Sequence, residues 1–346
     1  MRWYNIIISD PDKIQPDIVF SSLNSDGSYN PGALNVEFDI PLSSFGTPTS
    51  AAYVRVWGIS IKDIGQASDL NGRDIQVFGG MSAGLPLANP AQQGLLAFGT
   101  IQQAYGNWID TNQSLDIIIM PQVGNPDNPK NIVMNWARGT ELIPVIQSAL
   151  STAFPSYSLD TSGIVETGFI MPDPQYAYFQ NMAQFAEWIK RVSITLKPIN
   201  SDGRPYSGLD VALSGNVLKL IDNSGLNQAT PKQINFVDLI GQPTWIGLYQ
   251  IQFNCVMRGD LNLGDYIVMP VTQSTTVQAS YSQYRQNAVF QGVFQILGDG
   301  GFIRHVGNYR QPDGRAWITT VNAVQVNTTS AVPGLTSPGN NYGALK

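Results

Sequence analysis

A chain of 346 residues with one cysteine and one histidine has little from which to build a metal centre or a thiol catalyst. A Cys/His zinc site or a Cys–His pair would rest on Cys255 and His305 alone. Cys255 falls on the apolar side of an alternating run and reads as a small core residue. His305 precedes Val306-Gly307 in a hairpin and reads as structural. Two carboxylate pairs could in principle serve glycoside hydrolysis, Asp260 with Asp265 and Asp160 with Glu166. Both lie in turn-rich sequence, where solvated acids are the ordinary case. Asp10, Asp12, Asp26 and Asn30 offer oxygen ligands without the spacing of a calcium loop. Gly298-Asp299-Gly300-Gly301 follows a strand with no helix after it, so it reads as a hairpin turn and not a phosphate cradle. The expectation is a protein with no catalytic residue, no cofactor and no metal.

Of the seven tryptophans, Trp3, Trp57 and Trp317 sit in strand patterns and are expected in cores. Trp108, Trp136 and Trp188 neighbour apolar runs, and Trp245, after the Pro243 turn, is the candidate interface anchor. Charged residues make up 13% of the chain, about half the usual share. With 33 Gly, 22 Pro and a net charge of −6, the surface is polar, neutral to acidic, and repels phosphate, which argues against sequence-specific nucleic-acid binding. No apolar run is long enough for a membrane span. The start, Met1 to Asp10, has a short apolar run without a small-residue cleavage site and breaks at Pro11, so it reads as a strand, with the product cytoplasmic when made.

The elements that must position these residues are mostly strands. Ala33 to Ile40 alternates strictly, Tyr53 to Ile59 continues the pattern, and Asp74–Phe78, Leu95–Ile101 and Leu115–Met120 complete a β region over residues 1–125. Gly58 and Gly99 suggest bulges or corners. Residues 126–230 change period. A helix over Thr140–Ala153, with Thr140 as cap, carries the stripe Leu142, Val145, Ile146, Ala149, Leu150 and Ala153. A second follows Asn181, with Lys190-Arg191 near its end, and Leu209–Leu213 and Val217–Ile221 form a hairpin through Ser214-Gly215-Asn216. From 231 to 326 strands return: Ile234–Ile240, then Tyr249, Ile251, Phe253, Cys255 and Met257 on one face of a run, then Tyr266–Met269, Gln291–Ile296, Phe302–Val306 and Trp317–Val324. Residues 327–346 read as a flexible tail. The fold class is mainly β with an α+β insert.

Three stretches carry a resemblance: Gly241-Gln242-Pro243, Arg258-Gly259-Asp260-Leu261-Asn262-Leu263-Gly264-Asp265, and His305-Val306-Gly307-Asn308-Tyr309-Arg310-Gln311-Pro312-Asp313-Gly314-Arg315-Ala316-Trp317. They resemble the C-terminal tube-like barrel of baseplate hub proteins from contractile-tailed bacteriophages, over about the last quarter of the chain. The resemblance implies two tail-tube-like β-barrel domains flanking smaller inserted domains. It also implies a homotrimer whose ring of six barrels adapts a hexameric tail tube protein to a trimeric central spike protein, with the tape-measure and baseplate wedge proteins as further neighbours. The site would be the virion, assembled in the bacterial host cytoplasm. Expected assembly contacts are Gln242, Pro243 and Trp245, with Arg310, Asp313 and Arg315 in the motif loop, and the C-terminal tail. The competing readings are a carbohydrate-binding or cell-wall-hydrolysing tail protein, or another baseplate or tail-fibre subunit.

Overall fold

The computed structural model describes residues 1–10, 14–42, 51–82, 89–120, 131–155, 157–201, 203, 205–214, 217–222, 230–247, 249–270, 290, 292–296 and 302–327. The turns expected at 214–216 and 298–301 and the tail beyond Asn327 fall wholly or mainly outside them.

Period-two alternation writes the first β unit. Its strands are β1 (Arg2–Ser9), β2 (Ile18–Ser21), β3 (Asn35–Leu42), β4 (Ala52–Trp57), β5 (Asp74–Met81), β6 (Gly94–Ile109) and β7 (Asn112–Met120), with one short helix, α1 (Ile61–Gly65), after β4. Val36, Phe38 and Ile40 of β3 and Ala52, Val54 and Val56 of β4 turn inward, and join Ile6, Ile75 and Ile117 in one core. β6 bends across the unit, pairing first with β5 and then with β7. Gly99 stands where it changes partner, because a Cβ there would lie 2.5 Å from the Met120 carbonyl oxygen. Gly58, expected inside a strand, instead ends β4 at φ +81°.

The α+β part holds β8 (Ile132–Trp136), α2 (Leu142–Ala153), β9 (Ser158–Gly163), β10 (Gln175–Phe179), α3 (Met182–Leu196), β11 (Leu209–Ser214) and β12 (Val217–Asp222). The apolar stripes of both helices close over a separate core with Phe169, Leu209 and Leu220. Asn181 caps α3, its Oδ1 accepting from the Gln184 N–H at 2.9 Å. Thr140 does not cap α2. The helix starts later, and Leu142 gives its N–H to the Phe169 carbonyl while Met171 gives its own to the Thr140 carbonyl, so a bridge to the chain at 169–171 replaces a side-chain cap. Lys190 and Arg191 lie mid-helix, because α3 runs on to Leu196.

The second β unit comprises β13 (Lys232–Gln233), β14 (Thr244–Gly247), β15 (Gln250–Val256), β16 (Tyr266–Val268), β17 (Val293–Gln295), β18 (Phe302–Asn308) and β19 (Trp317–Asn327). Two details differ from the sequence expectation. Phe236–Asp238 is a 3-10 turn and not strand, which carries Asp238 inward to Arg258. Tyr249 leaves the apolar face, because the reversal between β14 and β15 holds it at φ +62°.

Strand neighbours reveal an internal repeat. The order β3-β4-β7-β6-β5-β1 is matched by β14-β15-β19, then β17 with β18, then β16-β13. β17 and β18 lie along the same side of β19, opposite β15, as two pieces of what in the first unit is the continuous β6. The repeat is imperfect: β13 runs parallel to β16 where β1 opposes β5, and β2 has no counterpart among the described residues. Pairing of β3 with β18 joins both units in one 14-stranded sheet. The protein is mainly β with an α+β insert.

Candidate functional site

Among the described residues, an extended polar network lies along the seam between the two β units. At one end β3 and β18 run antiparallel from Leu42↔Ile303 to Glu37↔Asn308. Arg304 binds Asp39 through two N–H donors, and the Asn308 amide reaches Glu37 Oε1 at 2.8 Å. A side chain at 307 would drive its Cβ to 2.3 Å from the Phe38 ring, so glycine lets the strands close. The motif loop then folds back on the first unit. Tyr309 donates its N–H to the Val36 carbonyl, and Arg310 donates its own to Asn35 Oδ1 and its guanidinium to the Ala33 carbonyl at 2.6 Å. Arg2 donates to the carbonyls of Asn308, Gln311 and Asp313. The Asp313 side chain accepts the Arg315 N–H and caps the turn at Gly314–Ala316. Trp317, 3% exposed, sits in the first unit's core, edge-on to Phe38 at 5.2 Å, with Nε1 donating to the Gly80 carbonyl.

At the other end two backbones touch. A Cβ on Gly94 would lie 2.2 Å from the Gly259 oxygen, and Gly259 gives its N–H to the Gln92 carbonyl. Behind this contact, buried Arg258 holds Asp260 through Nε and Nη2 at 2.9 and 2.7 Å and approaches Asp238 at 3.4 Å. The Gln92 amide donates to Asp238 Oδ2 at 3.0 Å, which brings the first unit into the network.

Arg310, Asp313 and Arg315 are thus grouped in one loop against the first unit. Gln242, Pro243 and Trp245 lie elsewhere, along β14. Gln242 is exposed, Pro243 is half-buried, and the Trp245 ring stacks on Phe290 at 5.3 Å. The seam residues that sequence reasoning passed over are Arg2, Gln92, Gly94 and Asp238. Their partners lie far along the chain, and no local pattern signals them.

The carboxylates considered for catalysis are tied up in bonds. Asp260 is held by Arg258 and Asp265 by Lys232. Asp160 accepts the Ser162 N–H, and Glu166 is bound by Lys197 and Ser201. Burial works to raise the Glu166 carboxyl, and those partners outweigh it and bring it down to about 2. Asp26 accepts from Ser28 in a turn; Asp12 lies outside the described residues. Trp3 and Trp57 are half-buried rather than core, on the outer faces of their strands, and Trp57 covers the Arg55 guanidinium at 5.1 Å.

Cys255 is fully buried and burial pushes its thiol up to about 12. His305 is buried as well, with Nδ1 2.9 Å from Thr319 Oγ1, which also accepts the Arg258 N–H. Met257 Sδ lies 3.7 Å from the same hydroxyl. Burial drives the His305 pKa down to about 3. The unfolded chain therefore takes up a proton below about pH 6.5 that the folded chain refuses. Stability is expected to fall by about 1.4 kcal/mol per pH unit from there toward the folded-state value. A His305→Gln variant should have a shallower stability–pH curve between pH 6 and 4, read by urea unfolding; parallel curves would show that His305 is not the sensor.

No family model and no curated protein sequence matches this chain. Among solved structures it is similar to the 43 kDa tail protein of prophage MuSo2 from Shewanella oneidensis, at 7% identity and TM-score 0.48, over 94% of this chain and 97% of that one. It is similar to the tail protein of Neisseria meningitidis MC58, at 9% identity and TM-score 0.45, over 93% and 96%. The E. coli c3393 protein, a type VI secretion system component with structural similarity to the T4 bacteriophage tail proteins gp27 and gp5, is similar at 10% identity and TM-score 0.46, over 84% and 73%. All three likenesses are distant.

Proposed function

We propose that this chain is a non-enzymatic structural subunit of a bacteriophage tail, the baseplate hub, acting as a homotrimer that fits a hexameric tail tube to a trimeric central spike. One observation carries the reading: two β units of the same strand order are fused through a shared sheet into one body. Three copies of such a chain present six related units, enough to meet a sixfold tube. The differences between repeats, β2 on one side and the α+β part between them, leave the ring threefold, as a trimeric spike requires. The bacteriophage context itself rests on the sequence resemblance, and tape-measure and baseplate wedge proteins follow as neighbours in the virion. The chemistry fits a scaffold, because the seam contains bonds that hold units together and not groups poised to react.

One observation favours the carbohydrate-binding alternative. Tyr176 and Tyr178 of β10 stand exposed on one face beside Val133 of β8, an aromatic platform on the insert. Light scattering after size exclusion, followed by negative-stain imaging, tests the hub reading. A trimer with a central hole and a pseudo-sixfold outline is expected. A monomer that binds or cleaves glycan overturns it in favour of the alternative.

A further inference from the structure

The two-stranded sheet of the insert buries one face and exposes the other. β8 and β10 pair antiparallel from Trp136↔Gln175 to Ile132↔Phe179. Alternation sends Ile132, Met134, Trp136 and Phe179 into the insert's core. It sets Val133, Asn135, Tyr176 and Tyr178 on the opposite face, where all four are exposed, Tyr176 by 80%, Val133 by 59% and Tyr178 by 57%. Asn135 stands opposite Tyr176, and Val133 opposite Tyr178.

The core beneath holds this face stiff. Trp136 and Phe179 both pack on Trp188 of α3, at 5.5 and 5.2 Å, and Phe179 meets Phe185 at 5.3 Å. Trp136 Nε1 donates to the Asp173 carbonyl at 3.1 Å, which fixes the approach to β10. Tyr176 and Tyr178 take no part in that packing.

The four exposed side chains select a class of ligand. None of them is charged. A nucleic-acid strand also stacks on aromatic rings, but it needs cationic groups along its backbone. A stable protein partner engages about 20–30 residues on each side, far more than this small face presents. A sugar chain needs less: the C–H face of a pyranose packs on an aromatic ring while its hydroxyls bond to phenol and amide groups. The two tyrosines lie roughly 7 Å apart along one strand, close enough to serve neighbouring sugars. Val133 beside Tyr178 offers an apolar spot of methyl size, and the Asn135 amide beside Tyr176 both donates and accepts. Together these complement an acetamido group, which has a methyl at one end and an amide at the other.

We propose that the outer face of β8·β10 binds a neutral, N-acetylated glycan chain, with Tyr176 and Tyr178 as stacking residues and Val133 and Asn135 receiving the acetamido groups. An open face makes each contact weak, and repetition along a glycan and across copies of the chain adds avidity. This is recognition without cleavage. It assigns a ligand class to the platform named above and holds for a hub ring as well as for a single chain.

The test titrates the full-length protein with the N-acetylglucosamine tetramer, read by saturation-transfer NMR and calorimetry, with light scattering on the same samples. Binding is expected, with saturation reaching the acetamido methyls. Tyr176→Ala and Tyr178→Ala should each weaken it by about tenfold, the scale of one lost aromatic contact. Asn135→Ala retains both rings and should lower the tetramer to the affinity of the glucose tetramer, which decides the matter should an alanine variant of a tyrosine fail to fold. No saturation transfer, or equal binding by wild type and the Tyr176→Ala/Tyr178→Ala double variant, overturns the proposal and leaves the hub reading standing. Equal wild-type affinity for the glucose tetramer overturns the acetamido assignment. A trimer that binds the tetramer supports both readings, and a monomer that binds it supports this one while overturning the hub.

Discussion

An Arg258→Met chain is expected to lose about 3–5 kcal/mol of stability, the usual cost of leaving a buried charge without its partner. The Arg258 side chain is 4% exposed and the Asp238 side chain 3%. With the guanidinium gone, Asp238 keeps the Gln92 amide and a distant Asn235 amide at 3.5 Å. Because the Gln92 amide ties Asp238 to the first unit, the loss is expected to appear as loosening between the units. Urea unfolding measures the magnitude, and hydrogen exchange of the Gly259 N–H, which bonds to the Gln92 carbonyl, reports the loosening. Adding Asp238→Asn to Arg258→Met removes the stranded charge and should recover part of the loss. A single variant within about 1 kcal/mol of wild type would mean that the pair is solvated in solution, and the seam's second contact would then carry little of the stability.

How much of this was legible in the sequence depended on whether the signal was local. Alternation in Ala33–Ile40 and Tyr53–Ile59 placed strands and their buried faces, because side-chain direction follows the backbone period. The apolar stripe of α2 and the start of α3 after Asn181 were readable for the same reason. What depended on distant partners was not readable. Thr140 looked like a cap, and the chain at 169–171 took the role. Ile234–Ile240 had the composition of a strand, but Asp238 is drawn to an arginine that lies in another turn. Trp57 was expected in the core, although period two already sets it beside Arg55 on the outer face, where it covers the guanidinium. The seam is the extreme case: Arg2 and Asp313 stand more than 300 residues apart in sequence. The Arg310–Arg315 loop stood out because it carried a motif, but its partners Ala33, Asn35 and Arg2 did not.

Trp317→Ala is expected to have a comparable effect, about 3–5 kcal/mol, through cavity formation and not charge. The indole belongs to the second unit by sequence and to the first unit's core by packing, so its removal empties space that both units wall. Three contacts are lost together: the edge to Phe38 at 5.2 Å, the ring contact to Tyr309 at 6.4 Å, and the Nε1 bond to the Gly80 carbonyl. Trp317→Phe separates them. It retains an aromatic edge for Phe38 and gives up only the Nε1 bond, since the Gly80 carbonyl keeps its place opposite Trp3 in the β1·β5 ladder, a loss of about 0.5–1.5 kcal/mol. The order wild type, Trp317→Phe, Trp317→Ala in melting temperature is therefore expected. If the hub reading holds, the alanine variant should also lose ring assembly at temperatures where it is still folded, because a loosened β3·β18 seam changes the angle between the two β units that the ring must accommodate. Normal rings from a destabilised Trp317→Ala chain would show that this indole stabilises the body without setting its geometry.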